Sequence, residues 1–185
     1  ALPICNSVLG PGHPTFIVAE LSANHNQDYE VAAQSVRAAK EIGADAIKLQ
    51  TYTADTITLD VDNEHFRVKH AKLWKGRRLY DLYKEAYTPW EWHKQLFELA
   101  DSLGLLCFSS PFSVEAVEFL EELRVPAYKI ASFEMIDFPI LKAVAATGKP
   151  VIMSTGMART SIGTFPPRCA ASLCMSTPRS EEHTS

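Results

Sequence analysis

Apolar positions along the chain change their period several times. Strand-sized apolar runs, Phe16 to Ala19, Asp45 to Thr51, Leu105 to Ser109, Ala127 to Ser132 and Val151 to Ser154, alternate with stretches whose apolar residues recur every three or four positions. The first such stretch, Asp28 to Gly43, carries Ala32, Val36, Ala39 and Ile42 on one helical stripe and closes on glycine. In the second, Thr88-Pro89-Trp90-Glu91 has the form of a capping box with proline at the first helical position. Its stripe is Trp92, Leu96, Leu99 and Leu103, ending at Gly104. Ser113 to Leu123 and Pro139 to Thr147 supply two more helices. Strand and helix alternating five times predict an α/β fold with a parallel sheet.

Two segments break this rhythm. Tyr52 to Tyr87 is far longer than an ordinary strand-to-helix loop and holds Trp74, Gly76, Tyr80, Tyr83 and Tyr87. It reads as a binding insertion or as a short extra helix, Arg78 to Ala86, on the barrel rim. From Arg159 onward the periodicity stops, and Pro166-Pro167, Cys169, Cys174 and Pro178 follow no recognisable pattern. The last seven residues, Arg179 to Ser185, resemble the translation of a sequencing-adapter oligonucleotide. The expected division is a barrel portion at 1–158 and a non-homologous tail, derived from a frameshift or adapter, at 159–185.

Composition narrows the field only a little. The 185 residues are 46% hydrophobic with a formal net charge of -4, enough to bury a core and no invitation to nucleic acid. Apolar runs fall short of the roughly 20 residues of a membrane helix, and the start lacks a signal-peptide pattern. A cytoplasmic enzyme with neither membrane nor nucleic-acid partner is the expectation. The four cysteines, at 5, 107, 169 and 174, have neither paired metal spacing nor a disulfide framework, and Cys107 reads as a small core residue.

Candidate chemistry collects at the strand ends. Lys48 and Gln50 are two apart on one strand and so share a face, pairing a cation with an amide suited to an oxyanion beside a hydroxylated ligand. Lys129, Ser132, Ser154 and the run Ser109-Ser110-Pro111-Phe112 add a second cation and several hydroxyls, a set that reads as a phosphate cradle. A strand lysine could equally form a Schiff base, as in barrel aldolases. Glu20 ends the first strand and precedes Ser22, Asn24, His25 and Asn26. That group serves either as proton-transfer machinery or as a polar loop capping the helix near Asp28.

The ordered motifs Phe16 to Asn26, Lys48-Leu49-Gln50-Thr51, Ser109 to Phe112, Lys129-Ile130-Ala131-Ser132 and Ser154 to Ala158 resemble the sialic acid synthase family over about residues 3–158. Leu73 to Gly76 and Leu79 to Trp90 are most similar to its pseudaminic acid synthase branch. The resemblance implies condensation of phosphoenolpyruvate with an N-acylated amino sugar, of the 2,4-diacetamido-2,4,6-trideoxy-altrose or N-acetylmannosamine type. The product would be a nine-carbon 2-keto acid, with release of phosphate. It implies that Lys48, Ser110, Lys129, Ser132 and Ser154 hold phosphoenolpyruvate, and that Glu20 and Gln50 meet the sugar, Glu20 as proton acceptor; Asn24, His25 and Tyr80 are further candidates. It also implies a divalent metal, Mn2+ or Mg2+, whose histidine ligands lie on later strands absent from this chain, and a domain-swapped homodimer for the full-length form. The family usually continues Asn-His-Asn with glycine, where this chain has Gln27. The resemblance implies a (β/α)8 TIM barrel with about five of eight β/α units present, and with five units only the chain itself is expected to be inactive. The alternatives are a Schiff-base aldolase and a non-catalytic truncated product.

Overall fold

The structure is a computed structural model that describes residues 2–4, 7–69 and 74–155. The expected tail at 159–185 lies outside the described residues, as does Leu73 of the insertion motif. Two short strands, β1 (Leu2–Ile4) and β2 (Ser7–Leu9), pair antiparallel with Leu2 opposite Leu9. Five strands then form one parallel sheet in chain order: β3 (Val18–Glu20), β4 (Ala46–Thr51), β5 (Leu106–Pro111), β6 (Tyr128–Ile130) and β7 (Val151–Met153). The helices are α1 (Tyr29–Glu41), α2 (Ala54–Ile57), α3 (Leu79–Ala86), α4 (Trp90–Ser102), α5 (Val114–Glu122) and α6 (Phe138–Ala146). Sequential parallel neighbours with intervening helices are the arrangement of a TIM barrel, of which the described residues form five consecutive units.

Each helix start has a local cause. The Asp28 carboxylate accepts from the Glu30 amide, the Ser113 hydroxyl from Ala116, and the Asp137 carboxylate from Ile140, with Pro139 in the first turn of α6. The capping box expected at Thr88 to Glu91 is not formed: α4 begins at Trp90, Pro89 is its cap, and no side chain caps it. The Thr88 hydroxyl is instead a buried partner of His25. Ile42, expected on the α1 stripe, sits past the helix end and is 78% exposed, because the buried stripe is Ala32, Ala33, Val36 and Ala39. The α4 stripe is likewise turned by one position, burying His93, Leu96 and Ala100 while Trp92, Leu99 and Leu103 flank it.

The sheet has two faces because successive residues alternate. On the helix side, Ile47, Leu49 and Cys107 pack with α1 and α4, while Tyr128, Ile130, Val151 and Met153 pack with α5 and α6. On the inner side, Ala46, Phe108, Ala127 and Ile152 form a separate cluster with Ile4 of the antiparallel hairpin. The hairpin therefore closes the bottom of the sheet's inner face with its own core residue, an element the alternation along the chain does not announce.

Candidate active site

Advancing two residues along each strand from that inner apolar cluster changes its chemistry. Val18 gives way to Glu20, Ala46 to Lys48 and then Gln50, Phe108 to Ser110, Ala127 to Lys129, and Ile152 to Ser154. The pairings Glu20 with Lys48 and Gln50 with Ser110 put these groups side by side on neighbouring strands. This is the carboxyl end of a parallel sheet, the end where barrels carry out chemistry.

Lys48 is 8% exposed and meets the Glu20 carboxylate at 2.6 Å. A buried ammonium needs such a partner. Glu20 is itself 57% exposed, so the pair joins an interior cation to a carboxylate that reaches solvent. The Lys129 ammonium donates to the Ile130 carbonyl at 2.9 Å and to the Ser154 hydroxyl. The Ser154 backbone N–H donates to the Ile130 carbonyl at 3.0 Å, which ties the end of β7 to β6 beneath the hydroxyl. Ser110 is buried, and Ser132 is half-buried just beyond β6. The structure thus gathers Glu20, Lys48, Gln50, Ser110, Lys129 and Ser154 on one inner face.

One acid that the residue pattern did not single out stands nearby. Glu134 lines a cleft of about 330 Å³ at the rim with Thr56, Ile57, Phe112 and Phe133. Its Oε2 is buried with no hydrogen-bond partner among the described residues. Burial, with help from the Asp137 charge, pushes the Glu134 carboxyl up, against the opposing pull of Lys129. A carboxyl in a short turn after a strand looks like any polar loop residue; only its lack of a partner marks it.

Asn24 and His25 lie elsewhere. The Asn24 amide donates to the Leu21 carbonyl at 3.0 Å, closing the turn after β3. His25 is fully buried, its Nδ1 accepting from the Gln27 N–H at 3.1 Å and its Nε2 facing the Thr88 hydroxyl at 3.2 Å. Since Nδ1 accepts, Nε2 carries the proton and donates to Thr88. Burial holds the His25 pKa below its usual value, and Trp92 packs edge-on at 5.4 Å. One ring nitrogen therefore holds the β3–α1 loop on itself, and the other ties that loop to Thr88, just ahead of α4.

Behind the strand ends a second histidine does similar work. His93 Nδ1 donates to the Pro89 carbonyl at 3.1 Å, so Nε2 accepts from the Thr51 hydroxyl at 3.0 Å; that hydroxyl lies 2.6 Å from Ser109. Desolvation lowers the His93 pKa to about 4. The chain of bonds locks the ends of β4 and β5 to α4 and so fixes the backbone that presents Gln50 and Ser110.

The long connection holds α2 and α3. Tyr80 donates to Asp55 at 2.8 Å, joining these two helices on the outside of the rim. Tyr83 packs on the buried Tyr52 at 5.7 Å, and Tyr52 packs on Phe112 at 5.5 Å. An ionic cluster braces the outer side: Arg67 grips Asp62 with two nitrogens, and Arg78 grips Asp81 the same way. The short extra helix expected at Arg78 to Ala86 is α3. At Gln27, where glycine is usual in the resembled family, the backbone has φ +56°, in the left-handed region glycine occupies without strain.

With this geometry in hand, comparison with known proteins is informative. The family model described as the NeuB family matches residues 35–162. A pseudaminic acid synthase of Campylobacter jejuni is 55% identical over 77% of this chain and 41% of its own length. One of Helicobacter pylori is 53% identical over 78% of the chain and 42% of its own length. Among solved structures, an N-acetylneuraminic acid (sialic acid) synthetase from Leptospira borgpetersenii in complex with citrate superposes with a TM-score of 0.71 at 30% identity, covering 86% of this chain and 51% of that one. The chain thus spans about two fifths of the length of the curated relatives it matches.

Proposed function

The chain belongs to the NeuB family, and from that premise we propose that its inner strand-end face takes part in condensing phosphoenolpyruvate with an N-acylated amino sugar to a nine-carbon 2-keto acid. The observation that carries this reading is the row of Lys48, Gln50, Ser110, Lys129 and Ser154 directly above an apolar layer, with Glu20 bonded to Lys48. Two ammonium groups and several hydroxyls answer the phosphate and carboxylate of phosphoenolpyruvate, a trianion that a neutral pocket would not hold. In this reading Lys48, Ser110, Lys129, Ser132 and Ser154 bind that substrate, while Glu20 and Gln50 meet the sugar.

The enol carbon of phosphoenolpyruvate forms the new bond to the sugar carbonyl carbon, water adds at the neighbouring carbon, and phosphate leaves. Glu20, at the interface between cation and solvent, is positioned to take up a proton. Glu134, its carboxyl raised by burial, is suited to bond a hydroxyl or amide of the acceptor. A divalent metal, implied by the resemblance, would supply polarisation of the sugar carbonyl. Among the described residues no three His, Cys, Asp or Glu side chains could hold such an ion together. Among them, too, no helix is long and apolar enough to cross a membrane. For the full-length form the proposal includes a domain-swapped homodimer, whose doubled mass sedimentation equilibrium tests.

The aldolase alternative asks for a free strand amine, whereas here both lysine Nζ atoms donate to oxygens. Borohydride trapping with a 2-keto acid separates the two, the synthase reading predicting no covalent adduct. Phosphate release from phosphoenolpyruvate, measured with each candidate acceptor, tests the condensation. In the full-length enzyme, Glu20→Gln is expected to retain phosphoenolpyruvate binding and lower turnover by roughly 10²-fold. A Glu20→Gln protein with unaltered turnover would remove Glu20 from the chemistry.

A further inference from the structure

We propose that Gln27 is a positioning residue that caps the C-terminus of α3 from across the molecule and so couples the β3–α1 loop to the long connection between β4 and α4. The side-chain amide nitrogen of Gln27 donates to the Glu85 carbonyl at 2.9 Å and to the Tyr87 carbonyl at 2.5 Å. The last carbonyls of a helix have no partner within it. In α3 the Tyr83 carbonyl is satisfied by the Tyr87 N–H, and the Glu85 carbonyl is satisfied by Gln27. An amide nitrogen has two hydrogens, and here each has its own carbonyl.

The backbone shows that this placement is imposed. Ser22, Asn26 and Gln27 all have positive φ, +48°, +49° and +56°, within one short loop. A residue chosen for backbone comfort at position 27 would be glycine. Gln27 accepts the conformation and in exchange carries a donor that glycine lacks. The contact is reinforced beside it: the Gln27 N–H donates to His25, and His25 in turn reaches Thr88. Residues 25–27 thereby hold residues 85–88 at three points. One loop follows Glu20 and the other segment follows Lys48 and Gln50, so the clasp ties together the two connections that leave the first strands of the proposed site.

The functional meaning of this clasp rests on the reading above, but its test does not. Residues 24–28 and 82–88 are expected to open as a single unit, with a common opening free energy in amide hydrogen exchange. Gln27→Glu keeps the size and removes both donors; Gln27→Gly relieves the backbone and removes the side chain. Each is expected to speed exchange at 82–88 by about tenfold or more and to separate it from that at 24–28, with β4 and β5 unchanged. Gln27→Lys restores donors suited to helix-terminal carbonyls and is expected to keep exchange within about threefold of the parent. The proposal is overturned if Gln27→Glu and Gln27→Lys behave alike, if neither Gln27→Glu nor Gln27→Gly alters exchange at 82–88, or if exchange rises equally throughout the sheet. Because the readout needs no substrate, it decides the matter whether or not phosphoenolpyruvate binds.

Discussion

The two ends of the sheet's inner face differ sharply in chemistry, although they are built on the same strands. At the amino end Val18, Ala46, Phe108, Ala127 and Ile152 pack on Ile4 and exclude water. One alternation further on, the same strands present Glu20, Lys48, Ser110, Lys129 and Ser154. Alternation decides which face a side chain occupies; distance along the strand decides whether it stabilises or reacts. The lower layer can be apolar because the hairpin closes it. The upper layer can be charged because its cations have oxygen partners and its carboxylate reaches solvent.

The comparison is broken most severely from below. Phe108→Ala should cost about 3 to 5 kcal/mol, the range for removing a large buried aromatic side chain, and lower the urea midpoint accordingly. Phe108 also pairs with Lys48 between β4 and β5, so phosphoenolpyruvate affinity of the folded protein should fall as well, though by less than on removal of Lys48 itself. A normal midpoint with lost affinity would reverse the roles of the two layers.

A smaller effect comes from the support behind the strand ends. The folded protein holds His93 neutral down to about pH 4, whereas the ordinary value is 6.5. Between these values the unfolded chain binds more protons, so stability is complete above that ordinary value and falls as the pH drops through the window, by about 3 kcal/mol for this group. Burial of His25 adds in the same direction. Urea denaturation across this range should show the slope, and His93→Gln should flatten most of it whatever its effect at neutral pH. A slope that survives the substitution would assign the dependence to other groups.

The smallest expected effect sharpens the distinction between a stripe residue and a residue beyond the helix. Ile42→Ser, at a largely exposed position, should change stability by no more than about 0.5 kcal/mol. A loss of the size seen for core residues would restore Ile42 to the buried stripe.

Much of this was legible along the chain. The five strands and the helices between them follow from periodicity, and the shared face of Lys48 and Gln50 follows from their spacing. The remainder depends on partners distant in sequence. His93 reads as a polar helix residue until Thr51, 42 positions away, and Ser109, 58 positions from Thr51, supply its bonds. Thr88 and Glu91 have the spacing of a capping box, yet His25 claims the threonine hydroxyl. The hairpin that seats Ile4 beneath the sheet is too short to show a period. Gln27 is unremarkable as a residue type, and only its φ and its two carbonyl partners reveal the clasp.

The polar end of the inner face is proposed to hold phosphoenolpyruvate through Lys48 and Lys129, and calorimetric titration of phosphoenolpyruvate measures that hold. In the full-length protein, Lys48→Ala and Lys129→Ala are each expected to weaken binding by about 1.5 to 3 kcal/mol, roughly tenfold to more than a hundredfold, while thermal unfolding confirms that the variants remain folded. Unchanged affinity in both folded variants would contradict the claim.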